Sequence, residues 1–272
     1  MIRTAARLSS GIMSKYFVDE MSSVLDDNKR ITHEKLATRV EDKLEDKAFW
    51  KKVRGLESVD LGLADWCYTP IIQSGGTYDL RTSAQSNGNR LEGAEGSGVI
   101  LASMGLKYKS YCSNIGRTWL VDPHKSQQKY YTFLLELQVE IADKYIRAGA
   151  TCKEVYEKAI KYIQAKQPNL VKHFVKNVGF ATGLEFRDNT YILSAKNNRT
   201  IQADMTFNLT VGFDNLEDPN HKDKTYALLI IDTVKTSTGS ASFMTERLPS
   251  VTESIFFKDE DEDGSDSASP KK

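Results

Sequence analysis

The side chains able to do chemistry are few and scattered. Three cysteines, Cys67, Cys112 and Cys152, form neither a C-x-x-C pair nor a disulfide framework; this is the usage of a reduced, intracellular chain. Four histidines, His33, His124, His173 and His221, stand singly. His124 and His173 border predicted helices and read as solvent-facing side chains rather than ligands. The densest mixture of aromatic and polar groups is Lys107-Tyr108-Lys109-Ser110-Tyr111-Cys112-Ser113-Asn114-Ile115-Gly116-Arg117-Thr118-Trp119. On a strand, Tyr108 and Tyr111 either pack in a core or wall a cleft, and Arg117 reads as an ion-pairing residue within the fold. A second cluster, Glu185-Phe186-Arg187-Asp188, sets a guanidinium among carboxylates. The Arg187 fork can take a carboxylate from a ligand, or it can pair internally with Glu185 or Asp188.

Positioning these groups requires strands. Residues 98–105, 106–112 and 116–121 read as strands separated by small turns. Three more are expected at Tyr191–Ser194, Met205–Phe213 and Tyr226–Val234, with Asp218-Pro219-Asn220 as the turn between the last two. Helical periodicity marks 4–28, through Leu8, Ile12, Phe17, Met21 and Val24. Thr32 is placed to cap a second helix carrying Leu36, Val40 and Leu44. Asp122-Pro123 reads as a helix start, running through Tyr131 and Leu134 to Ile146. Thr151 with Glu154 is a capping box for a helix to about Ala165, broken by Pro168. Residues 54–96, rich in Gly, Ser, Thr and Asn, read as irregular or edge-strand structure. The order of strands, two helices and strands implies an α+β chain with a curved antiparallel sheet flanked by helices.

The charge balance excludes a generic polyanion binder. The 272 residues hold 37 Lys+Arg and 37 Asp+Glu. Six of the acids and three of the lysines fall in 258–272, so residues 1–257 carry 34 basic and 31 acidic side chains. The 258–272 segment is expected to be a disordered acidic tail, and 1–257 the folded domain. No apolar run approaches the ~18–20 residues that cross a membrane, and no secretory h-region opens the chain, so the expected location is the cytoplasm or nucleus.

The Lys107–Trp119 segment resembles the stretch of methionine aminopeptidases, prolidases and aminopeptidase P that reads aromatic, small, then Asp-Ile-Thr-Arg-Thr-Phe. Gly183-Leu184-Glu185-Phe186-Arg187-Asp188 is similar to the family's segment just after its metal histidine, and Ile231-Asp232-Thr233-Val234 to its final Glu-Asp-Thr-Val. The resemblance implies the pita-bread fold, with a cleft on the concave face of the sheet. It also implies five ligands for two divalent ions, which need carboxylates to bridge them. Carried over residue by residue, the two aspartates fall on Ser103 and Asn114, the histidine on Phe180, and the two glutamates on Thr210 and Ile231. A substrate-side histidine falls on Arg187. None of the five positions keeps an ionisable side chain, so the expectation is a pseudoenzyme with no metal and no cofactor. Phe180 and Ile231 would fill the vacated space.

Tyr111-Cys112-Ser113-Asn114, Arg117-Thr118, Val121-Asp122-Pro123 and Tyr226-Ala227-Leu228 resemble one inactive branch, the large subunit of the FACT histone chaperone. Tyr16–Met21 resembles that family's inter-lobe helix, and Pro70–Gly75 the strand after it. The resemblance implies a fragment with a further lobe before residue 1 and other domains after 272. It implies nuclear, chromatin-associated work in transcription, replication and repair: binding core histones, alongside a smaller FACT subunit held by other parts of the protein, with no sequence-specific DNA binding and no membrane. The candidate histone- or peptide-binding residues are Arg187, Glu185, Asp188, Tyr108 and Tyr111. The acidic tail is either a solvated linker or a competitor with DNA for basic histones. An active metal-dependent aminopeptidase or prolidase, and a purely structural spacer, are the alternatives.

Overall fold

The computed structural model describes residues 1–93, 96–248 and 250–257. The expected acidic tail, 258–272, lies outside the described residues. The first predicted helix forms as α1 (Ile2–Ile12), a π-helical turn (Met13–Phe17) and α2 (Val18–Asp26), in unbroken succession. Its apolar stripe, Leu8, Ile12, Phe17, Met21 and Val24, is buried throughout, at about 1.5–3 kcal/mol for each large side chain removed from water. α3 (His33–Asp42) starts where Thr32 accepts a hydrogen bond from the Lys35 amide, and the short α4 (Lys47–Trp50) follows an Asp46 cap.

The 54–96 region holds two short strands, β1 (Ala64–Trp66) and β2 (Ile71–Gln73), both paired to β3 (Gly98–Tyr108). Here the structure corrects the strand count. Instead of three strands over 98–121, β3 and β4 (Tyr111–Val121) form a single long hairpin. Its two-residue loop, Lys109-Ser110, takes positive φ at both positions (50° and 67°), the type I′ geometry that matches strand twist. No glycine announces it. Gly105 and Gly116 lie inside the strands and serve the site below.

The next helix also starts later than Asp122-Pro123 implies. α5 (Lys125–Glu140) is capped by His124, whose Nδ1 accepts from the Ser126 amide while Gln127 Oε1 accepts from the His124 amide. His124 is thus a capping residue. Asp122 stands outside the helix with φ 44°. A second π-helical turn (Ile141–Tyr145) ends that run, and α6 (Cys152–Lys166) opens with the expected Thr151–Glu154 box. The last third adds β5 (Gly179–Thr182), too short to be read from periodicity. β6 (Asp188–Ile192), β7 (Thr206–Glu217), β8 (Thr225–Lys235), β9 (Ser242–Phe243) and β10 (Ile255–Phe256) follow.

Among the described residues the strands make one sheet in the order β1-β3-β4-β8-β7-β5-β6, with β2 on β3, β9 on β8 and β10 parallel to β4. Helices cover one face. Ser9 of α1 bonds Ser113 of β4 (2.7 Å), and Gln138 of α5 bonds Asp232 of β8 (3.0 Å). Ser113 and Asp232 therefore point to the same side of the pleat. No helix among the described residues is long and apolar enough to cross a membrane.

Candidate functional site

The strand register brings the five positions matched to metal ligands onto one face. Ser103 lies opposite Gly116, Gly116 opposite Ile231, and Ile231 opposite Thr210. Two residues along, Gly105 faces Asn114, whose backbone N and O are both bonded by Thr233 Oγ1 (2.8 and 3.0 Å). Asn208 then lies opposite Thr233 and, on its other side, opposite Phe180. Strand alternation points all of these away from the helices. All five positions are buried, Asn114 completely.

An aromatic group occupies the space above them. The Tyr68 hydroxyl donates to Asn114 Oδ1 at 2.5 Å and also reaches Ser103. Burial pushes the Tyr68 phenol well above its ordinary pKa, so it stays a neutral donor. Its ring meets Phe186 edge-on (centroids 5.2 Å), Phe186 meets Phe180 (5.7 Å), and the Arg187 guanidinium lies over Phe180 (5.1 Å). Two glycines make this possible. A Cβ on Gly105 would stand 2.8 Å from the Tyr68 ring, and one on Gly116 would stand 2.8 Å from the Ile231 side chain. The seam lined by Ser103, Ile231, Ile71 and Leu80 has no room for a water molecule.

This donor set does not fit a pair of divalent ions. It offers the Ser103 and Thr210 hydroxyls and one amide oxygen already taken by Tyr68, with no anion to bridge two cations. Asn114 Nδ2 and Asn208 Nδ2 are buried there without a partner, and an amide N–H presents its positive end. Among the described residues no group of three or more His, Cys, Asp or Glu is placed to hold a metal.

The reverse face of the same strands carries an ion pair. Arg117 grips Asp232 in two-pronged fashion (2.8 and 3.1 Å), and also donates to the carbonyls of Gly116, Ile231 and Glu246. Asp232 further accepts from Thr245 (2.6 Å) and Gln138 (3.0 Å). This node ties β4, β8, α5 and the 245–246 segment together.

The proposed binding residues do not all gather. Arg187 and Glu185 are exposed on the loop between β5 and β6, at the edge of the aromatic group. Arg187 pairs with neither Glu185 nor Asp188; its Nε donates to Asn189 Oδ1 (3.0 Å), while Asp188 accepts from Thr190. Tyr108 and Tyr111 form the last rung of the hairpin. Alternation places that rung on the helix-covered side, where Tyr108 packs against the α1 core, so neither tyrosine joins the cleft floor. Cys67 sits over Gly105 and beside Cys112. The neighbouring thiol, with burial, holds the Cys67 thiol up. Sequence reasoning missed Tyr68 and Phe186. Phe186 lies between Glu185 and Arg187, whose charges are the stronger signal in that segment; Tyr68 sits in a Gly/Ser/Thr-rich stretch whose composition suggests no core.

A model of metallopeptidase family M24 matches residues 1–238. FACT complex subunit SPT16 of Mycosarcoma maydis is 58% identical over 258 residues, covering 94% of this chain and 25% of that protein. The Gibberella zeae subunit is 43% identical over 272 residues, covering 96% and 26%. The chain thus spans about a quarter of the length of these curated relatives. Among solved structures, the N-terminal domain of FACT complex subunit SPT16 from Eremothecium gossypii superposes with a TM-score of 0.87 at 39% identity, covering 94% of this chain and 59% of that one. The X-Pro aminopeptidase of Thermotoga maritima, at 20% identity and a TM-score of 0.68 over 93% and 62%, shares the fold. The chain belongs to metallopeptidase family M24, with the family's pita-bread fold, and within that family it is similar to the N-terminal domain of FACT complex subunit SPT16.

Proposed function

We propose that this chain is a catalytically inactive peptidase-fold module of a histone chaperone, binding histone segments during nucleosome reorganisation in the nucleus. The observation that carries the reading is the cleft floor. Ser103, Asn114, Phe180, Thr210 and Ile231 occupy the positions matched to ligands, the Tyr68 hydroxyl caps Asn114, and the Tyr68, Phe186 and Phe180 rings pack against one another beside it. Similarity to FACT subunits supports the reading of a histone partner, and a smaller FACT subunit would bind through parts of the protein outside this chain. A filled floor favours binding on exposed surface over insertion into the groove. On the cleft edge, Glu185 is the exposed carboxylate suited to a basic segment, with Arg187 beside it for a backbone carbonyl.

The test is a pull-down of the two separate histone pairs, each with and without tails, by the intact chain. The reading expects retention of at least one pair at physiological salt. Retention of neither, by a chain that melts cooperatively, returns the domain to the role of spacer.

A further inference from the structure

On the helix-covered side, away from the cleft, a groove of about 620 Å³ opens between α1, the segment after α4 and the Met244–Glu246 segment. Its floor is apolar: Phe49, Val53 and Leu56. The close approach is set by Gly11, where a Cβ would stand 3.3 Å from both Trp50 and Val53. Four cations line it, Arg7, Lys15, Lys52 and Arg54. All four are exposed, and none forms an ion pair among the described residues. Arg7 instead donates to the Arg54 carbonyl (3.3 Å), which holds two of the cations together. Two acids stand near. Glu246 takes a hydrogen bond from Ser14 (3.3 Å), and Glu57, within electrostatic reach of Arg7 and Arg54, accepts from the Gly55 amide (2.8 Å).

We propose that this groove docks an acidic peptide segment bearing one bulky apolar side chain, which seats on Phe49, Val53 and Leu56 while flanking carboxylates meet the four cations. The volume lies within the ~300–1,000 Å³ of small ligand sites and suits a single aromatic anchor. A nucleic-acid backbone fits less well. It brings no apolar side chain for the floor, and its continuous charge would run past Glu246 and Glu57, whereas separate carboxylates can straddle them. The occupant is thus opposite in charge to a histone tail, and the proposal is independent of the histone reading.

Fluorescence anisotropy on the intact 272-residue chain tests this at low salt. The probes are a labelled Asp/Glu-rich 12-residue peptide with a central Phe, the same peptide with Phe→Gly, a peptide of this chain's own residues 258–272, and a 20-base-pair DNA duplex. The Phe peptide should bind in the micromolar range. Loss of the anchor should weaken binding about 10–100-fold, and the 258–272 peptide, which lacks a large apolar residue, should compete as poorly as the Phe→Gly form. Arg7→Glu with Lys52→Glu, both exposed, should keep the melting temperature and weaken the Phe peptide at least about 10-fold. Equal binding with and without the anchor, tighter binding of the duplex, a 258–272 peptide that competes as well as the Phe peptide, or indifference to the double charge reversal would each overturn the proposal.

Discussion

On the helix-covered face of the sheet, the carboxylate of Asp232 accepts four hydrogen bonds from three side chains, Arg117, Thr245 and Gln138. On the opposite face of the same strands, Asn114 and Asn208 each bury an amide Nδ2 without a partner. The first region holds Arg117 and Asp232, and the second holds the five positions matched to metal ligands by the sequence resemblance. A buried charge network holds only if every member is satisfied. The Arg117–Asp232 node joins strands, a helix and a loop, so its loss would damage the fold itself. On the open face the side chains are hydroxyls, amides and apolar groups, with Tyr68 on Asn114 and Phe186 on Phe180.

The largest effect expected from this contrast is at the node. Asp232→Ala leaves the Arg117 guanidinium buried without its carboxylate, which should cost about 3–5 kcal/mol, read by urea denaturation of the intact chain. A loss under 1 kcal/mol would show that the node is not what joins the two sides of the sheet.

The sequence made the two faces unequally legible. Arg117 as an internal ion-pairing residue, the pita-bread sheet, the Thr151–Glu154 box and the Asp218-Pro219-Asn220 turn all followed from local signals or motif residues. The hairpin turn at Lys109-Ser110 did not, because two non-glycine residues adopt positive φ under the constraint of two long paired strands. Gly105 and Gly116 lie within strands, where they serve close approach by Tyr68 and Ile231 from elements far along the chain. Tyr68 reaches Asn114 across 46 positions, a contact that no periodicity encodes. His124 displaced Asp122-Pro123 as the helix start because its ring nitrogen and Gln127 complete a reciprocal cap.

An intermediate effect is expected on the cleft face. Gly116→Ala drives a methyl to within 2.8 Å of Ile231 and should cost about 1–3 kcal/mol by overpacking. Combining it with Ile231→Ala should recover part of that penalty in a double-mutant cycle. Strict additivity would mean that the two residues do not share the space above β4.

The smallest effect separates satisfied from unsatisfied polar groups. Asn208→Leu removes an Nδ2 that already lacks a partner, along with one long contact from the Thr210 hydroxyl to Oδ1 (3.4 Å), and should change stability by about 1 kcal/mol or less, several-fold less than Asp232→Leu in the same assay. Equal losses would indicate that Asn208 has a partner in solution and that the two faces are alike.

The proposed inactivity requires a cleft floor that is packed and takes up no ions. Titration calorimetry of the intact chain with manganese, cobalt and zinc ions addresses it most directly. The donor set of Ser103, Asn114, Phe180, Thr210 and Ile231 predicts no stoichiometric heat at micromolar concentrations for any of the three. Saturable one- or two-site binding that Asn114→Ala abolishes would contradict it.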